Sequence, residues 1–174
     1  MTRSRKPLVV LIGPMGSGKS RVGALIADQL QVPFIDTDIE IVNKHGAISD
    51  IFSNHSEGYF RGLEREEVSK ALDSKYGVIS LGGGAVLHPE TKRQLVDMPV
   101  VLFDIDLAKA AERVLRKPEK RPLIASGGMD AWQSIYEERI DLYRSLAKFT
   151  IKIEEQDSFT VANEVIKWLQ TLAK

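Results

Sequence analysis

The sequence predicts an α/β fold, a parallel sheet covered by helices on both faces. Short apolar runs recur along the 174 residues, longer segments with helically spaced apolar residues separate them, and the runs lack the apolar–polar alternation of a sheet with one wet face. Parallel neighbours need crossover connections, which the intervening helices supply.

The strand candidates are Leu8 to Ile12, Val78 to Leu81, Val100 to Phe103 and Phe149 to Ile153, with a brief fifth at Phe34 to Ile35. Helical stripes lie between and after them, as in Val22, Ile26 and Leu30, or Val161, Val165, Leu169 and Leu172. Trp132 and Trp168 fall within such patterns and are expected to pack in the interior. Between Leu115 and Met129 the pattern lapses, with Pro118, Pro122, Gly127, Gly128 and four basic residues, which predicts a mobile flap. No repeat or linker divides the chain, so one domain over 1–174 is expected, long enough to bury a core without disulfides.

Lysine plus arginine equals aspartate plus glutamate, 24 against 24, so no basic field holds a nucleic acid or an anionic membrane. The absence of cysteine excludes thiol catalysis and thiolate zinc sites. His45, His55 and His88 lack metal-ligand spacing. Arg3 to Lys6 followed by Leu8 to Ile12 has the order of a secretion signal, but the apolar run is too short, and no later stretch approaches the roughly 20 apolar residues of a membrane span. The expectation is a soluble, cytoplasmic, monomeric protein with a small-molecule partner, without nucleic acid or membrane.

Gly13-Pro14-Met15-Gly16-Ser17-Gly18-Lys19-Ser20 satisfies G-x-x-x-x-G-K-[ST] between an apolar strand and a helical pattern. Its glycines let successive N–H groups turn toward phosphate oxygens, and the following helix directs its positive end at the same charge. Lys19 can reach the β and γ phosphates, and Ser20 offers a hydroxyl to Mg²⁺. Gly16, Ser17, Gly18, Lys19, Ser20 and Arg21 are the nucleotide-binding candidates. The motif does not separate kinases, ATPases and GTPases. A GTPase should carry N-K-x-D late in the chain, whereas Asn43-Lys44-His45-Gly46 lacks the aspartate and comes early.

Three further segments bear on the acceptor. Asp36 and Asp38 leave the second strand with i, i+2 spacing, so both can face one side, one supporting Mg²⁺ and the other taking a hydroxyl proton. In Tyr59-Phe60-Arg61-Gly62-Leu63-Glu64, Glu64 can preorganise the Arg61 fork for a carboxylate ligand. Gly82, Gly83 and Gly84 end a strand, where a ligand can approach bare backbone.

In this order, and along nearly the whole chain, these segments resemble the shikimate kinase family, itself similar in fold to nucleoside monophosphate kinases. The resemblance implies three α/β/α layers on a five-stranded parallel sheet, a substrate-binding region at about 36–64 and a lid at about 115–129. It implies transfer of the ATP γ-phosphoryl group to the 3-hydroxyl of shikimate, with Mg²⁺. By matching position, Asp36 lies near the metal with Ser20, and Asp38 meets the substrate hydroxyls as base. Arg61, with Glu64 as its support, and Arg139 bind the carboxylate; Gly83, flanked by Gly82 and Gly84, lies beside the substrate; Phe52 and Phe60 line its pocket. Arg121 of Arg121-Pro122-Leu123 contacts the phosphates. Arg113, Arg116 and Gln156 are the adenine-side candidates. Where the family commonly has a proline before its L-Y pair, this chain has Ile140 and Asp141, and Asp141 is placed to compete for Arg139. Gluconate and nucleotide kinases share the phosphate loop but not the combination of D-T-D, F-R-x-x-E and G-G-G.

Overall fold

The computed structural model describes residues 7–115 and 127–173. The predicted flap and Arg121 and Arg116 within it lie largely or wholly outside those residues. Among the described residues, five strands pair in parallel in the order β2-β3-β1-β4-β5. They are β1 (Leu8–Ile12), β2 (Phe34–Asp36), β3 (Gly77–Ser80), β4 (Val100–Ile105) and β5 (Phe149–Ile153). The helices are α1 (Lys19–Leu30), α2 (Thr37–His45), α3 (Ile48–Asn54), α4 (Glu57–Asp73), α5 (Pro89–Leu95), α6 (Leu107–Leu115), α7 (Gly128–Leu146) and α8 (Ser158–Leu172). None of the described helices is long and apolar enough to cross a membrane.

Side-chain alternation along each strand builds two cores from one sheet. Val9 and Leu11 of β1 pack with Val22 and Ile26 of α1 and Val161 and Val165 of α8. Val10 and Ile12 point the other way, against Val68 and Leu72 of α4, Leu95 of α5 and Tyr143 of α7. The central strands are buried on both faces, which is why they read as continuous apolar runs. β5 differs: Thr150 and Lys152 are exposed while Ile151 and Ile153 are buried, because this edge strand has one uncovered face. Trp132 is buried and stacks on Tyr136, and Trp168 stacks on Phe149, so both tryptophans pack as expected.

The register fixes what meets at the carboxyl edge of the sheet. Asp36 lies opposite Ser80, which delivers the β2–α2 junction to the glycines that follow β3. The buried Thr37 hydroxyl fastens the two, donating to the Ser80 carbonyl at 3.4 Å and accepting from the Gly82 N–H at 3.1 Å. Beside them β1 runs into the phosphate loop at Gly13, whose φ is +143°. A Cβ there would stand 2.6 Å from the Phe103 carbonyl oxygen of β4. Gly13→Ala is therefore expected to destabilise the protein by about 1–3 kcal/mol, read as a lower urea midpoint at unchanged slope.

Candidate active site

A cleft of about 1130 Å³ opens at the carboxyl edge, between the phosphate loop, the β2–α2 junction, α4 and the three glycines. It gathers Gly16, Gly18, Lys19, Ser20 and Arg21 with Asp36, Asp38, Phe52, Phe60, Arg61, Gly82, Gly83, Gly84, Arg113 and Arg139. Ser17 is buried beside it, within 3.4 Å of the Lys19 ammonium. Gln156 is placed apart: its amide donates to the Lys152 carbonyl and accepts from the Glu154 N–H, so both polar ends serve their own loop.

The nucleotide side meets the chemical requirements of a phosphate group. Helix α1 begins at Lys19 with no side-chain cap and no acid in its first turn, leaving its N–H groups and positive dipole end to an anion. The Lys19 ammonium donates to the Gly13 and Pro14 carbonyls at 2.8 and 3.1 Å, which keeps the charge within the loop. The Ser20 hydroxyl donates to Asp36 Oδ2, while Asp36 Oδ1 accepts from the Asp38 and Ile39 N–H groups as the cap of α2. One hydroxyl and one held carboxylate suit Mg²⁺, a hard cation that keeps several waters and takes its remaining ligands from substrate phosphates. Among the described residues no cluster of three or more acidic or histidine side chains would cage a metal by itself.

Asp36 and Asp38 reach this cleft by a route different from strand alternation. The chain turns from strand to helix at Thr37, so Asp36 faces Ser20 and Asp38 faces α4 and the glycines. A Cβ on Gly82 would lie 2.5 Å from Asp38 Oδ1, and one on Gly84 would lie 2.2 Å from Arg61 Nη1. Only bare backbone leaves room for these two side chains.

Arg61 donates to the buried Glu64 at 2.6 Å and to Glu57 at 3.3 Å, and its guanidinium lies 5.4 Å from the centre of the Phe60 ring. Glu64 also feels the charge of Arg139, yet burial raises its pKa above the usual carboxylate value. Arg139 is itself buried, and its Nε has no hydrogen-bond partner. Asp141 leaves it alone: residues two apart point to different sides of a helix, Asp141 is exposed, and no ion pair joins the two. The expected competition for Arg139 is absent. Two contributors escaped the sequence reading. Thr37 sits unremarked between the aspartates, and Tyr143, one turn beyond Arg139, donates its hydroxyl to the Gly83 carbonyl at 2.5 Å. Burial pushes the Tyr143 pKa up to about 12, so it remains a donor.

Burial raises the Asp38 pKa to about 7, aided by the charges of Glu64 and Asp36 and opposed by Lys19 and Arg61. The folded protein thus holds a proton between about pH 4 and 7 that the unfolded chain has released, so this group lowers stability as pH rises through that window. With chelator and no nucleotide, raising the pH from 5 to 8 should lower the melting temperature of the wild type more than that of Asp38→Asn, by on the order of 3 °C. Parallel pH trends in calorimetry would show that Asp38 carries no such strain.

The shikimate kinase family model matches residues 15–170. The shikimate kinase of Thermobifida fusca is 40% identical over 167 residues, covering 95% of this chain and 96% of that protein. Among solved structures, shikimate kinase from Acinetobacter baumannii in complex with shikimate superposes with a TM-score of 0.91 at 28% identity, covering 97% of this chain and 96% of that one. A gluconokinase from Sinorhizobium meliloti superposes at 0.59 with 18% identity, a likeness of fold alone. Fold, motif order and relatives agree that the chain belongs to the shikimate kinase family.

Proposed function

We propose that this cleft transfers the γ-phosphoryl group of ATP to the 3-hydroxyl of shikimate, giving shikimate 3-phosphate and ADP. The observation that carries the reading is the meeting of an uncapped helix N-terminus, a carboxyl group poised near neutrality and two arginines within one cleft. The phosphate loop holds the triphosphate, with Lys19 moving from the loop carbonyls to phosphate oxygens. Arg61 and Arg139 bind the acceptor carboxylate, Arg139 through a fork whose Nε awaits a partner. That anchorage, with Gly83 beneath and Phe52 and Phe60 at the wall, turns one ring hydroxyl toward the phosphate loop. Asp38 accepts its proton as the new P–O bond forms and the bond to the ADP oxygen breaks. Mg²⁺ held by Ser20 and Asp36 would neutralise phosphate charge when bound.

Arg121 enters the proposal by motif as a phosphate contact, and Gln156, which uses one N–H and one carbonyl lone pair within its own loop, keeps its second N–H and second lone pair for an adenine-side contact. A cytoplasmic location, favoured by the use of ATP, and a monomeric state complete the reading.

In an ADP-release assay with ATP and Mg²⁺, shikimate should sustain turnover that gluconate, nucleoside monophosphates and the no-acceptor control do not. Arg61→Ala is expected to raise the KM for shikimate about 10- to 100-fold with little change for ATP, because a charge-assisted contact to the acceptor is lost. Asp38→Asn should reduce kcat at least about 100-fold while ATP binding stays within a few-fold. Turnover equal with every acceptor would leave the phosphate loop in place and remove shikimate from it.

A further inference from the structure

Helix α7 carries a stripe of polar-ended side chains at i, i+4, i+7 and i+11: Trp132, Tyr136, Arg139 and Tyr143. These positions share one helix face and span about three turns, roughly 16 Å. The ends of the stripe belong to different layers. Trp132 packs in the core shared by α1 and α8, Tyr143 packs in the core shared by α4 and α5, and Tyr136 touches both. The helix therefore straddles the carboxyl edge of the sheet, across the line that separates nucleotide from acceptor.

Each end of the stripe holds a backbone carbonyl of one substrate loop. The Trp132 indole N–H donates to the Met15 carbonyl of the phosphate loop at 3.0 Å. Arg113 donates to the next carbonyl, Gly16, at 3.3 Å. Two consecutive carbonyls are thereby engaged by side chains, which favours the inward-facing N–H groups that an anion needs. At the far end the Tyr143 hydroxyl holds the Gly83 carbonyl, and the Arg139 guanidinium lies beside the same hydroxyl. Between them the Tyr136 hydroxyl donates to Asp104 of β4 at 2.9 Å, which pins the middle of the helix to the sheet.

We propose that α7 is a strut that sets the phosphate loop and the acceptor loop in register, with Trp132 a positioning residue for the nucleotide and Tyr143 a positioning residue for the acceptor. Neither side chain need touch a ligand. Trp132 acts through the shape of residues 13–19, and Tyr143 acts through Gly83 and the orientation of Arg139. The proposal rests on the shikimate-dependent turnover argued above, which the wild-type assay tests by itself.

Two variants remove one donor each: Tyr143→Phe, which keeps the ring, and Trp132→Phe, which keeps an aromatic side chain but also loses the fused five-membered ring at a buried position. Loss of a single hydrogen bond to a loop should weaken the ligand on that loop about three- to tenfold. The KM for ATP should rise in Trp132→Phe with the shikimate KM nearly unchanged, and the reverse should hold in Tyr143→Phe. Calorimetric titration of ADP into the ligand-free variants should show the same weakening for Trp132→Phe alone. Tyr136→Phe, which loses only the bond to the sheet, should leave the ratio of the two KM values where it is in the wild type. Each end is an independent test, so a variant that fails to fold leaves the other decisive. A ratio that does not move in either variant, or both KM values rising together with a lowered melting temperature, would reduce α7 to a packing element and overturn the proposal.

Discussion

Acidic and basic side chains meet at the carboxyl edge of the sheet, where burial makes each carboxylate depend on the partners around it. Asp36, Asp38 and Glu64 face Lys19, Arg61 and Arg139 in a cleft where most of these side chains are withdrawn from water. A buried charge without a partner costs several kcal/mol, so charge balance within the cleft constrains the surrounding fold. Asp36 is satisfied by Ser20 and by the first N–H groups of α2, Glu64 by Arg61, and Lys19 by loop carbonyls. Of the three carboxyl groups Asp38 is the one that burial holds near neutrality, where it can exchange a proton. The arrangement that makes the cleft costly to assemble is the one that makes it reactive.

The parallel sheet with layers on both faces was legible because its central strands are dry on both sides and so stand out as unbroken apolar runs. Phe149–Ile153 coincided with its predicted span although two of its five side chains are wet, since length and flanking helices marked it as well as burial did. The phosphate loop was legible for a local reason: glycines, lysine and hydroxyl act within eight consecutive residues. Arg61 and Glu64 were legible because one helical turn joins them.

What the sequence hid is what the third dimension assembles. Thr37 is one polar residue among many until the β2–β3 register carries it to Ser80 and Gly82. Tyr143 and Gly83 are 60 positions apart, and Trp132 and Met15 are 117 apart. No periodicity connects them. Asp141 misled in the opposite sense, since proximity in sequence to Arg139 suggested a contact that helical geometry forbids. Gln156 offered a polar side chain at a plausible place in the order of elements, but its amide closes the loop that carries it.

Gly82 and Gly84 cannot acquire side chains without colliding with Asp38 and Arg61. A side chain at either glycine would displace Asp38 or Arg61 from its present position, so substitution on this side of the cleft disturbs the charged groups as well as the shape. Variation is left to the opposite wall, where Ile39 and Val42 of α2 and Phe52 of α3 border the cleft from partly or largely exposed positions. A lineage or an engineer wishing to admit a different acceptor would have to work from that wall inward, keeping the glycine floor as inherited.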